Sequence, residues 1–153
     1  MLEERDIYRM PVAYARPRPA ASPFRLARQR IILAVRLSLS AVFFWFGALK
    51  LVDASPVTDL LRNSFPILAH SPYLEALGLV EIAIAIGLIS ERFSKGAATL
   101  MIGHLLCTLS IMLVSPGLVF APAFPVLTMQ GEFLAKNVVL ITAGLVVIDS
   151  RRR

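Results

Sequence analysis

The stretch YLEALGLVEIAIAIGLIS, Tyr73 to Ser90, decides the fold of this chain. Between its ends it holds Leu, Ile, Val, Ala and Gly around two carboxylates, Glu75 and Glu81. A bilayer's hydrocarbon core is about 30 Å thick and takes about 20 mostly apolar residues to cross as a helix, so the run has spanning length. An ionisable side chain near the bilayer centre costs roughly 2.5 to 3.5 kcal/mol on insertion scales, and Glu81 therefore calls for a partner or a purpose. Such a segment inserts poorly alone and needs neighbouring helices.

Those neighbours lie on both sides of it. The chain has 153 residues, 57% of them hydrophobic and 17% charged, with a mean hydropathy of +0.71, which is too apolar for a soluble domain of this size. Further runs extend from about Ile31 to Val52, Gly96 to Phe120 and Glu132 to Ile148. The expected architecture is all-α: an integral membrane four-helix bundle over residues 31–150, preceded by a basic, Pro/Arg-rich arm (1–30) and followed by a basic tail (151–153). The arm has no early apolar core or small-residue cleavage site, so the first span is expected to be retained rather than removed as a signal peptide. Phe24 to Arg30 is expected to form a basic turn of helix at the cytoplasmic surface. Ser55-Pro56 is a good cap and first helical position. Val57, Leu60, Leu61 and Phe65 then share a face, predicting a short amphipathic helix at the outer interface that ends before Pro66.

Basic residues sort the loops. Arg5, Arg9, Arg16, Arg18, Arg25, Arg28 and Arg30 precede the first span, Arg92 and Lys95 follow the second, and Arg151, Arg152 and Arg153 end the chain; the opposite loops carry only Arg62. Both termini are thus expected on the cytoplasmic side. The net charge of +6 reflects this sorting and attraction to lipid headgroups, with no nucleic-acid partner implied.

The expected polar centre comprises Lys50, Glu75, Glu81, His104, Glu132, Lys136 and Asn137. At about 1.5 Å of rise per residue, Glu81 lies about 9 Å deeper than Glu75, and all the carboxylates and ammonium groups of the spans fall in the outer half. Lys136 is expected to reach Glu81, with Lys50 pairing to Glu75 or Glu132, while Arg36 snorkels to headgroups without a partner. Two readings stand: charges that staple helix ends together, or a polar pocket open to a lipophilic substrate, with Glu81 exchanging protons. The lone Cys107 is expected to be a small buried apolar residue, which excludes a disulfide relay. With no second histidine in the spans, haem or a metal is not expected either. Ala76, Ala83, Gly87 and Ser90 are expected to form a close-packing face on the second helix.

Three short motifs carry a resemblance. Gly47-x-x-Lys50 ends the first span, Gly78-x-x-Glu81 lies in the second, and Gly131-Glu132-Phe133 with Lys136-Asn137 opens the fourth. In that order they resemble the DoxX-like superfamily of small four-helix membrane proteins, within it the branch of reactive-chlorine-resistance inner-membrane proteins, over about residues 31–148. The resemblance implies a shared polar centre of Lys50, Glu81 and Lys136 and a link to redox or oxidative-stress systems. On that basis the expected function is an accessory protein of the bacterial inner membrane without independent catalytic activity, either quinone-interacting or anchoring a larger oxidoreductase. Alternatives are a small transporter or ion-permeation unit gated by Glu81 and Lys136 and assembled as a homo-oligomer, and a purely structural subunit of a membrane complex.

Overall fold

A computed structural model describes residues 23–55 and 58–150, all helix, turn and loop apart from one isolated antiparallel bridge between Phe120 and Leu127. The expectations for the N-terminal arm before Pro23, for Pro56 as a first helical residue and for the tail 151–153 lie outside these residues. Four segments are long and apolar enough to cross a membrane: Phe24–Leu51, Pro72–Ile89, Ser94–Val114 and Met129–Asp149.

Helix α1, Pro23–Leu51, starts well before the expected Ile31. At 1.5 Å per residue it is about 43 Å long, some 13 Å more than the hydrocarbon core. The exposed Arg25 and Arg30 sit in this excess, where helix can continue among headgroups, so the expected separate basic turn is instead the first part of α1. The helix ends in a Schellman arrangement. Asp53 adopts φ of 52°, its N–H bonds the Lys50 carbonyl, and the Ala54 N–H bonds that of Leu49.

Short helix α2, Thr58–Ser64, and a 3-10 turn, Pro66–Ala69, lead into α3, Ser71–Ile89, whose first turn contains a proline. The amphipathic helix expected at the interface therefore forms, but Leu60 and Leu61 are buried in protein, in a cluster with Leu74, Ile111, Val119 and Leu134. Its apolar face caps the bundle instead of lying on lipid.

Helix α4, Ser94–Leu109, continues as α5, Ile111–Val114. The expected span to Phe120 stops there because Pro116 cannot donate to a continuing helix and pushes Ser115 out of helical geometry, to φ −132° and ψ 61°. A four-residue helix α6, Pro116–Val119, and a loop lead to α7, Met129–Ala135. Thr128 caps α7 by accepting from the Gly131 N–H, and its hydroxyl donates to the Leu118 carbonyl. Lys136 separates α7 from α8, Asn137–Asp149.

The four long segments close into a ring in which α1 packs on α3, α3 on α4, α4 on α8 and α8 back on α1. Its apolar core includes Leu39, Phe43, Ile84, Leu88, Met101 and Val147. The close-packing positions differ in part from those expected: Ala76 and Ala83 are exposed, while Gly78 and Gly87 make the contacts. A Cβ on Gly47 would lie 2.7 Å from the Gly78 carbonyl oxygen, and one on Gly78 would lie 2.8 Å from that of Gly47. Backbone touches backbone at this crossing, and only glycine at both positions permits it.

Arg36 is also placed differently from its expected snorkelling role. It is 7% exposed. Its Nε donates to the Leu88 carbonyl at 2.7 Å and its Nη2 to that of Ile89 at 2.6 Å. These are among the last carbonyls of α3, which lack partners within their own helix, and a guanidinium there also complements the helix dipole. Ser40 adds a bond to the Ala85 carbonyl.

Candidate functional site

The glycine crossing builds the polar centre. Lys50 and Glu81 each follow their glycine by three residues, on antiparallel helices, so their Cα atoms lie on opposite sides of the crossing. Helical Cα–Cβ bonds tilt toward the helix N-terminus, which turns both side chains back toward the crossing and therefore toward each other. The Lys50 Nζ donates to Glu81 Oε1 at 2.8 Å and to Oε2 at 2.6 Å. Lys50 is 7% and Glu81 5% exposed.

His104, on α4, completes the group. Its Nε2 lies 3.0 Å from Glu81 Oε1, and because a carboxylate only accepts, this nitrogen carries the proton. Phe43 packs edge-on against the imidazole at a centroid distance of 6.2 Å. Glu81 thus accepts three hydrogen bonds from two helices, and with a neutral imidazole the cluster has no net charge.

This arrangement corrects two expected pairings. Glu81 is held by Lys50, not by Lys136, and both hydrogen bonds of the Lys50 ammonium go to Glu81. Depth along the membrane normal placed Lys136 within reach, but lateral contact between α1 and α3 decides the partner. Glu75 and Glu132 are exposed. Lys136 is exposed, with no ion-pair partner among the described residues, and Asn137 is 4% exposed.

Beside the cluster is a cavity of about 520 Å³. Val42, Phe43 and Phe46 of α1, Leu77 of α3, Leu105 and Ile111 beyond His104, Phe133 of α7 and Leu140 of α8 give it mostly apolar walls, and Leu61 and Phe65 cover one end. Lys50, Glu81, His104 and Thr108 line it from α1, α3 and α4, and Lys136 and Asn137 from the junction of α7 and α8. The size lies in the range of small-molecule sites, which combine apolar walls with a few placed polar groups.

Cys107 also lines the cavity and is exposed, contrary to the buried position expected. Helical phase puts it one turn beyond His104, at the margin of the bundle. Exposed Val139 lines the cavity too, so the space reaches the bundle surface on the α4 and α8 side. Among the described residues, no three His, Cys, Asp or Glu side chains cluster closely enough to hold a metal ion.

The site also encloses a donor on Asn137, a residue expected in the polar centre. The Asn137 Nδ2 is fully buried and has no hydrogen-bond partner among the described residues. Compared with family models, curated protein sequences and solved structures, the chain gives no match.

Proposed function

We propose that this chain is an accessory protein of the bacterial inner membrane that receives a quinone in the cavity between its helices. The observation that carries the reading is the cavity itself: mostly apolar walls, access at the bundle surface, and polar groups confined to two places. A quinone has the matching form, an apolar tail and ring with oxygen acceptors at the ring edge. The motifs resembling the DoxX-like superfamily support the same reading, since redox-linked members occur there. In this proposal both termini are cytoplasmic, the polar centre lies toward the outer side, and a larger oxidoreductase is the natural source or sink of the electrons.

The chain's single cysteine provides the test. Cys107 lines the cavity, so a bound ligand shields it from a membrane-permeant maleimide. The probe is a fully substituted benzoquinone with a decyl tail, whose ring has no open carbon for the thiol to attack. At ten times its dissociation constant it slows labelling about tenfold by mass action. Labelling that is indifferent to the quinone at all concentrations rules the cavity out as its site.

A second reading is favoured by one observation, three titratable side chains in hydrogen-bond contact on the cavity wall. Here the cluster passes protons, with Lys50, Glu81 and His104 replacing the expected Glu81 and Lys136 gate. Proton flux into liposomes that is abolished by His104→Phe supports it, and absence of flux in the wild type removes it.

A further inference from the structure

Every strong donor on the cavity wall has a partner except on the α7 to α8 side. Both short hydrogen bonds of Lys50 go to Glu81, and the His104 Nε2 lies on the same carboxylate. Thr108 donates to the His104 carbonyl. Lys136 is exposed, so water and headgroups are open to it. The Asn137 amide is different: the residue is 4% exposed and lines the cavity, while its Nδ2 is enclosed without an acceptor among the described residues, so a turn about the Cβ–Cγ bond is what brings this nitrogen to the lumen. A buried unpaired donor is destabilising, and natural structures seldom keep one that has no use.

From this geometry we infer that Asn137 is the specificity-determining residue of the cavity, donating from Nδ2 to a carbonyl oxygen of the bound quinone ring. The inference rests on the quinone reading above. It places the ring against the start of α8, where the helix restarts after Lys136, and the apolar tail toward the phenylalanine-lined part of the cavity. The Lys50, Glu81 and His104 cluster is then an internally paired wall and not the ligand's anchor. Lys50 keeps two of its three N–H groups and His104 its Nε2–H on Glu81, so an incoming carbonyl competes there with an ion pair, whereas the Asn137 Nδ2 has no acceptor among the described residues to give up.

The experiment compares two probes in the Cys107 protection assay: the decyl benzoquinone, and a fully substituted benzene with the same tail but without carbonyls. Wild type is expected to prefer the quinone by about tenfold, the worth of one well-made hydrogen bond against an otherwise unpaired donor. In Asn137→Leu, similar in size but apolar, the two probes are expected to bind alike, with labelling of the empty protein unchanged. Protection of the wild type by the quinone together with undiminished preference in Asn137→Leu overturns the role of Asn137 and leaves the cavity reading standing. Absence of protection in the wild type overturns both. A measurement independent of any variant is the infrared spectrum of quinone bound to the wild type. One carbonyl stretch is expected at lower frequency than in detergent alone; two unshifted stretches overturn the inference.

Discussion

The two polar walls of the cavity are built on opposite terms. On the α1 and α3 wall, paired glycines bring the backbones into contact, and the carboxylate they expose is claimed by an ammonium and an imidazole. On the α7 and α8 wall, an amide is enclosed without an acceptor and a lysine is exposed beside it. The difference separates polar groups that hold helices together from polar groups that are left available. Glu81, the residue that stands out most in the sequence, belongs to the first kind, and the less conspicuous Asn137 belongs to the second.

The sharpest way to break this comparison is to disrupt the satisfied wall. Removing one member of a buried ion pair strands the other and typically costs about 3 to 5 kcal/mol, whereas replacing both by apolar groups is often near neutral. Lys50→Met and Glu81→Gln are each expected to lower the melting temperature in detergent strongly, and the double variant is expected to recover much of the loss. Losses that simply add in the double variant would show that the pair is not coupled, and the α1 and α3 wall would then resemble its opposite.

Arg36 extends the same wall toward the Ser90 to Phe93 turn. Arg36→Met leaves the Leu88 and Ile89 carbonyls without their donor, and unsatisfied buried groups cost about 1 to 3 kcal/mol. The expected result is a drop in melting temperature smaller than that of Lys50→Met. A neutral outcome would mean that water or headgroups replace the guanidinium, as for a snorkelling side chain.

These contacts mark where the sequence was legible. The four spans could be read because each is a long apolar run, and lipid requires a helix to satisfy its backbone internally. Ends were harder: α1 begins at Pro23 because helix survives among charged residues at headgroup level, and the third span stops near Pro116, whose effect on Ser115 outweighs the apolar character of the residues that follow. Within the site, the residues were legible but their pairing was not. Gly-x-x-Lys and Gly-x-x-Glu were both visible, yet depth says nothing about which helices touch. Arg36 was misread for a related reason: its partners are backbone carbonyls of another helix, which no side-chain pattern reports.

On the available wall the comparison predicts the reverse sign. Asn137→Leu removes an unpaired buried donor and keeps the volume, so the empty protein is expected to gain about 1 kcal/mol. Differential scanning of detergent-solubilised protein measures this directly. A loss of stability would show that the amide already has a partner and that the two walls are alike.

The smallest expected effect is the most direct control, because it applies one substitution to both walls. Lys136→Met makes the same change as Lys50→Met, a similar length of side chain without the charge. Lys136 is exposed and has no ion-pair partner among the described residues, so its replacement strands nothing, and surface changes of that kind usually stay within about 0.5 kcal/mol. Combined with Glu81→Gln, it is expected to add independently, because residues without shared partners do not couple. Coupling between Lys136 and Glu81 in that double variant would restore the pairing suggested by depth alone and would move the polar centre across the cavity, from the α3 wall to the α8 wall.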